Sequence, residues 1–211
     1  MSFNTYGKKS TAYGGNTPVW LGKGDTIPAG GTLIDQYVVE GALYPAGTPV
    51  HLSGMGGDLT PLEVFELQSD LSTADTSIVI SVGNLGSAPD VSIAYGILPA
   101  SGTIITTASD VSSVTGPDVS GNYNLAFSAG AFGAASEGDY LVFAVSTGSN
   151  QSMLAPVNGL LWNDIYIETG MTSVTATGAV RDSGQVLVDR IPTVPASIQA
   201  LLPKITFIKE E

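Results

Sequence analysis

Tight, proline-bounded turns set between short strand-forming runs constrain this chain more than any other feature. Residues 44–52 read YPAGTPVHL. Pro45 fixes φ and withholds a donor, Gly47 permits a positive φ, and Pro49 again limits pairing, so the segment predicts a tight turn feeding an edge strand. Related phrases stand at 27–34 (IPAGGTLI) and 98–105 (LPASGTII), each with Pro-Ala, a small turn, Thr and then strand formers. Such punctuation leaves no room for a long helix.

Strand patterns begin at residue 32 with TLIDQYVVE and continue through LEVFEL (62–67), SIVISV (77–82) and VSIAYGIL (91–98). GDYLVFAVS at 138–146 is apolar on both faces, as a strand buried between layers should be. NYNLAFSAGAFGAAS at 122–136 fits either a strand with a Gly-Ala loop or an irregular turn. GLLWNDIYIETG (159–170) precedes SVTATGAVRDSGQVLVDRI (173–191), whose residues 181–184 predict the turn of a hairpin. ASIQALL at 196–202, between Pro195 and Pro203, is the one helical pattern, and ITFIK at 205–209 reads as a closing strand. The expected fold is mainly β: a β-sandwich or open barrel of short antiparallel strands, roughly ten to twelve of them, with an extended N-terminal arm and one short C-terminal helix.

Charge divides the chain unevenly. The net charge is −12, yet no Lys or Arg occurs from residue 24 to 180, where ten Asp and five Glu fall. Lys8, Lys9 and Lys23 precede that span without an acid among them. Residues 1–26 are otherwise Gly, Ser, Thr and Asn with spaced aromatics at Phe3, Tyr6, Tyr13 and Trp20, and show no helical or strand period. They predict an extended arm whose aromatics and lysines either seat in pockets of a partner or fold back on the chain's own body. An acidic body disfavours nucleic acid and membrane surfaces as partners. The first fifteen residues carry no apolar signal core, and no run is long enough to span a bilayer, which predicts synthesis in the cytosol.

Chemistry-bearing patterns are scarce. The chain has no cysteine, which excludes disulfides and thiolate metal sites, and its one histidine, His51, follows a proline in the predicted edge strand. There is no G-x-S-x-G elbow, no G-x-G-x-x-G loop and no calcium-loop spacing; residues 56–58 and 117–122 read as turn chemistry. Glu63 with Glu66, Asp70 with Asp75, and Asp164 with Glu168 are, by proximity, the candidates for the carboxylate pair of a glycosidase. Acids at strand ends and turns are also what a solvated β surface looks like. No catalytic residue, metal or cofactor is therefore expected.

Taken in order, PAGTPV, GLLWNDIYI, TATGAVRDSGQVLVDRI and LLPKITFI resemble the head decoration and head fibre proteins of tailed bacteriophages, including those of crAss-like phages. The similarity covers roughly residues 32–208. It implies a non-enzymatic virion protein, made in the host cytoplasm and carried on the capsid exterior, usually a homotrimer, whose N-terminal segment attaches it to the major capsid protein. On that reading Phe3, Tyr6, Lys8, Lys9, Tyr13, Trp20 and Lys23 are the capsid-docking residues. Residues 1–26 form the arm and 27–211 a β domain, in which 110–148 departs from the family pattern as an inserted or enlarged outer portion. The alternative is an adhesin or carbohydrate-binding β module using exposed loops, with a host surface glycan as partner.

Overall fold

A computed structural model describes residues 20–21, 29–86, 88–102 and 105–209. The chain is mainly β, as its turn density requires. Its strands run β1 (Trp20–Leu21), β2 (Ala29–Leu33), β3 (Leu43–Tyr44), β4 (Pro49–Leu52), β5 (Asp58–Pro61), β6 (Val64–Glu66), β7 (Ser77–Ile80), β8 (Tyr95–Leu98) and β9 (Thr107–Ser109). They continue as β10 (Ser113–Thr115), β11 (Tyr123–Ala126), β12 (Tyr140–Phe143), β13 (Gly148–Ser149), β14 (Gly159–Leu161), β15 (Ile165–Tyr166), β16 (Thr177–Arg181), β17 (Gly184–Leu187) and β18 (Ile205–Ile208). The short helix α1 (Ala196–Gln199) begins directly after Pro195, where the sequence pattern puts it. Among the described residues no helix is long and apolar enough to cross a membrane.

Two compact units divide the chain. One takes residues up to Leu62, Val157–Val194 and Ile198 onward; the other takes Glu63–Pro156 with Pro195–Ser197. The sequence pattern suggests one β domain over 27–211 with an outer portion at 110–148. Glu63–Pro156 makes up nearly all of the second unit, whose apolar residues pack on one another.

In the first unit β14, β16, β2, β5 and β4 close into a five-stranded barrel. Only β2 and β5 run parallel in it. Leu33, Val50, Leu59 and Leu160 are fully buried. So narrow a barrel needs backbones to approach where a side chain would not fit. A Cβ on Gly31 would lie 2.4 Å from Leu52 Cδ1 and 2.8 Å from the Gly57 carbonyl oxygen. One on Gly178 would meet Ile165 Cδ1 at 2.5 Å, and one on Gly159 would meet Val180 Cγ1 at 2.4 Å.

The YPAGTPVHL turn forms as its residues dictate. Gly47 has φ +87°, and Thr48 donates both its N–H and its hydroxyl to the Pro45 carbonyl, at 3.1 and 2.7 Å. The expected edge strand does not form. β4 is paired on both sides, with β5 and β14, and residues 44–50 are all buried. Pro49 is tolerated there because it opens the strand, where a missing N–H disturbs the ladder least.

The related phrases take different courses. In 27–34 the described part, from Ala29, is itself strand β2, whereas in 98–105 the strand ends at Leu98 and the turn follows, closed by Gly102 N–H to the Pro99 carbonyl at 3.0 Å. The expected hairpin at 173–191 also divides. β16 pairs with β14 and β2, while β17 pairs with β1 and, in parallel, with β18. Residues 182–183 therefore carry the chain out of the barrel into a separate three-stranded sheet, β1-β17-β18.

The second unit places a three-stranded sheet, β10-β11-β7, and a five-stranded sheet, β13-β9-β8-β12-β6, around one apolar core. Phe65, Ile80, Tyr95, Leu125 and Leu141 are wholly buried there. The stretch 122–136 resolves as β11 followed by a loop whose Phe127 and Phe132 meet edge to face, 4.8 Å between ring centroids, inside that core.

The barrel glycines give a paired prediction. Gly31→Ala should cost about 1–3 kcal/mol in urea unfolding, because Leu52 and the Gly57 carbonyl must both move. Gly30→Ala, one residue away, where an added Cβ would meet nothing nearer than the Gly178 carbonyl oxygen at 3.9 Å, should change stability by about 0.5 kcal/mol or less.

Candidate functional site

Of the predicted docking residues, Phe3, Tyr6, Lys8, Lys9, Tyr13 and Lys23 lie outside the described residues, and Trp20 is placed. It pairs with Val186 in the sheet and is buried, 8% exposed. Its ring lies 5.7 Å from that of Trp162 at an interplanar angle of 27°. The Arg181 guanidinium completes a triangle, its carbon 4.1 Å from the Trp162 ring centroid and 5.2 Å from that of Trp20. Of the two readings open for the arm's aromatics, this one folds back onto the body.

Strand geometry assembles the three groups. Arg181 ends β16 opposite Leu160 of β14, Trp162 follows two residues beyond Leu160, and Gly184 opens β17 beneath the guanidinium. Gly184 has φ +126°, and a Cβ there would stand 3.5 Å from Arg181 Nη1.

Arg181 is 2% exposed, and its Nε and Nη1 are buried without a hydrogen-bond partner, as is the indole nitrogen of Trp20. No acid within ion-pairing distance answers it among the described residues. Each N–H left so costs about 1–3 kcal/mol, and burying an ion costs several more. Cation–π contact with a desolvated indole returns about 2 kcal/mol. The contacts in hand therefore leave Arg181 under-compensated.

No family model, curated protein or solved structure matches this chain.

The acids show the opposite accounting. Asp118 Oδ1 accepts from the N–H of Ser120 and Asn122 at 2.7 and 2.9 Å, and Asp139 accepts from Ala100 and Ser136. Asp70 and Asp75, read as a carboxylate pair, take the N–H of Glu137 and Ser72 respectively. Glu63 is buried while Glu66 is exposed, so those two do not face one cleft. Among the described residues no three His, Asp or Glu gather as a metal site would require.

Asp164 and Glu168 do share a cavity. It has about 380 Å³ and is lined by Asn163, Tyr166, Thr175 and Thr177 besides the two acids, with Ile165, Met171 and Ala176 as its apolar part. Asp164 Oδ1 accepts the Ala46 N–H at 2.7 Å, so one of its oxygens is occupied in holding the PAGT turn. Its exposed lining is more apolar than polar, with two carboxylates, two threonine hydroxyls and one phenol set in it, a mixture that can take an amphipathic ligand such as a sugar ring.

Motif reading missed the Trp20–Trp162–Arg181 cluster because its members are far apart in sequence. One signal existed: Arg181 is the first basic residue after the long cation-free span, and it follows the apolar run of a strand.

Two outcomes are expected here. Trp20→Ala should cost about 3 kcal/mol in urea unfolding, as loss of a buried aromatic does; a Trp20 seated on a partner would cost the isolated chain nothing. Tyr140 has its phenol pushed above the ordinary 10.0 by burial first, then by the charges of Glu66 and Asp139. The folded state thus holds that proton more tightly than the unfolded one. Its contribution to stability is complete below about pH 10 and is lost as pH rises through the folded value. Urea midpoints of wild type and Tyr140→Phe, followed across that range, should show the steeper fall in wild type.

Proposed function

We propose that this chain is a non-enzymatic virion protein of a tailed bacteriophage, a head fibre or auxiliary capsid decoration protein carried on the capsid exterior. The observation that supports this reading best is where the resembling segments fall. PAGTPV makes the turn into β4, GLLWNDIYI supplies β14 and β15, TATGAVRDSGQVLVDRI supplies β16 and β17, and LLPKITFI supplies β18. All belong to the first compact unit, although Glu63–Pro156 separates the first of them from the rest. Segments that resembled a family by chance would have no reason to form one body.

On this proposal the first unit is the common base and the second a separately packed module carried by it. The major capsid protein is the partner, and the leading residues, with Phe3, Tyr6, Lys8, Lys9, Tyr13 and Lys23, make the attachment. Repeated weak docking on a lattice holds firmly through effective concentration, so a short arm suffices. Self-association as a trimer belongs to the same proposal.

Placement of Trp20 in the body sets the boundary for the test. A chain lacking residues 1–18 should melt with the full-length protein yet fail to copurify with phage heads. Full occupancy on heads would place the attachment elsewhere. Deletion through residue 26 is the wrong experiment, since it also removes a buried tryptophan.

The cavity beside Asp164 and Tyr166 favours a second reading, a carbohydrate-binding module. It expects the purified chain to retain particular glycans on an array and Tyr166→Ala to lose them; silence of the wild-type chain would leave the scaffold role alone.

A further inference from the structure

We propose that Asn158 is a spontaneous modification site, a deamidation point that the closed barrel holds shut and that disables the seam between β4 and β14 once it reacts. Asn158 and Gly159 form the chain's one Asn-Gly pair. Such a pair ordinarily marks a hairpin turn. Here it enters a barrel strand instead, with Gly159 the first residue of β14 and opposite Val50 of β4. Each of the two residues is present for its own structural reason. A Cβ on Gly159 would stand 2.4 Å from Val180 Cγ1 and 2.7 Å from the Arg181 carbonyl oxygen, so a larger residue does not fit. Asn158 supplies a rung of the ladder with its side chain. Its Oδ1 accepts the Leu52 N–H at 2.9 Å, its Nδ2 donates to the Leu52 carbonyl at 2.8 Å, and its own N–H goes to the Val50 carbonyl at 3.1 Å. Strand pairing between β14 and β4 ends at Gly159 and Val50, and the amide stands where the next peptide group would continue it.

Two structural needs thereby place a chemically labile pair in the barrel wall. Because glycine carries no Cβ, its nitrogen can reach the preceding amide carbon. The Gly159 nitrogen, giving up its proton, bonds to Asn158 Cγ; the Cγ–Nδ2 bond breaks, and the amide nitrogen leaves as ammonia with that proton. Water then opens the cyclic imide, at the side-chain carbonyl to give aspartate or at the main-chain carbonyl to give isoaspartate, whose main chain runs through Cβ and Cγ. One water is consumed, one ammonia is released and nothing is oxidised. Asn158 is exposed, so water has access. The closed seam blocks the first step, because both polar atoms of the amide are held across the ladder by Leu52 and the side chain cannot fold back onto its own following nitrogen. Opening the seam frees the amide, and reaction prevents its return. Aspartate has no donor for the Leu52 carbonyl and sets a charge beside it, while isoaspartate adds a carbon to the main chain just before Gly159. The assignment stands on the barrel alone, independent of any role in a virion.

Full-length protein is aged at mildly alkaline pH, folded and in denaturing urea, and conversion of Asn158 is followed by peptide mass and by enzymatic methyl labelling of isoaspartate. Conversion in the folded chain is expected to be at least about tenfold slower than in urea, as for a group released only by local opening. In Asn158→Ala the Leu52 amide should lose at least about tenfold of its hydrogen-exchange protection, while that of Leu141, in a strand paired on both sides in the second unit, is unchanged. Aged chains refolded from urea should unfold as two populations, the modified one at the lower urea midpoint, and Asn158→Asp should reproduce that lower midpoint. Should either variant not fold, modified wild-type chains separated by ion exchange and refolded alone carry the test, and their failure to regain wild-type stability is the expected result. Slowing short of the stated margin overturns the proposal. So do a Leu52 amide as protected in Asn158→Ala as in wild type, and modified chains that unfold at the wild-type midpoint.

Discussion

Closure of a five-stranded barrel is the constraint from which the rest of the first unit follows. Five strands enclose so little space that backbone must touch backbone or side-chain carbon at several points, and Gly31, Gly159 and Gly178 are where this happens. Closure also explains why a proline-bearing strand can lie in the middle of the structure. β4 has neighbours on both sides, but its first residue is the one that lacks the donor. Most of the second unit, Glu63–Pro156, is inserted in sequence between β5 and β14, and the barrel still closes.

Electrostatics is arranged in two unlike ways. From residue 24 to 180 there is no cation to pair with fifteen acids, and backbone amides take that part. Asp70, Asp75, Asp118, Asp139 and Asp164 each accept main-chain N–H bonds that close turns or pin one loop to another. Such charge-assisted bonds stabilise the turn and the carboxylate together, so an acidic composition becomes a means of fixing loops. Arg181 is the reverse case: a buried cation beside two indole rings, with no acid in ion-pairing distance among the described residues. The contrast makes it the most informative side chain in the molecule, because stability by itself would be served better by an apolar residue of that size.

The two cores draw on different parts of the chain. The segments resembling phage head proteins fold together into the barrel unit with its three-stranded sheet, while Glu63–Pro156 builds a sandwich on its own aromatic cluster of Phe65, Tyr95, Phe127, Phe132 and Phe143. A unit that brings its own core can vary in sequence without altering the apolar residues of the other.

Local chemistry fixed what is local. The positive φ at Gly47, the Asx turn at Asp118, the helix after Pro195 and the predominance of strands follow from residues that admit few alternatives, whatever surrounds them. Pairing was decided elsewhere. β4 and its flanking turn carry every mark of an edge and are enclosed; related phrases become strand, turn-then-strand and strand-then-turn; and a hairpin pattern parts into two sheets because β16 and β17 each find better partners far along the chain. Trp20, Trp162 and Arg181 meet for the same reason. A sequence states each residue's preferences over its near neighbours, but which strands lie side by side depends on how much apolar surface each arrangement buries, and that quantity exists only once the whole chain is folded.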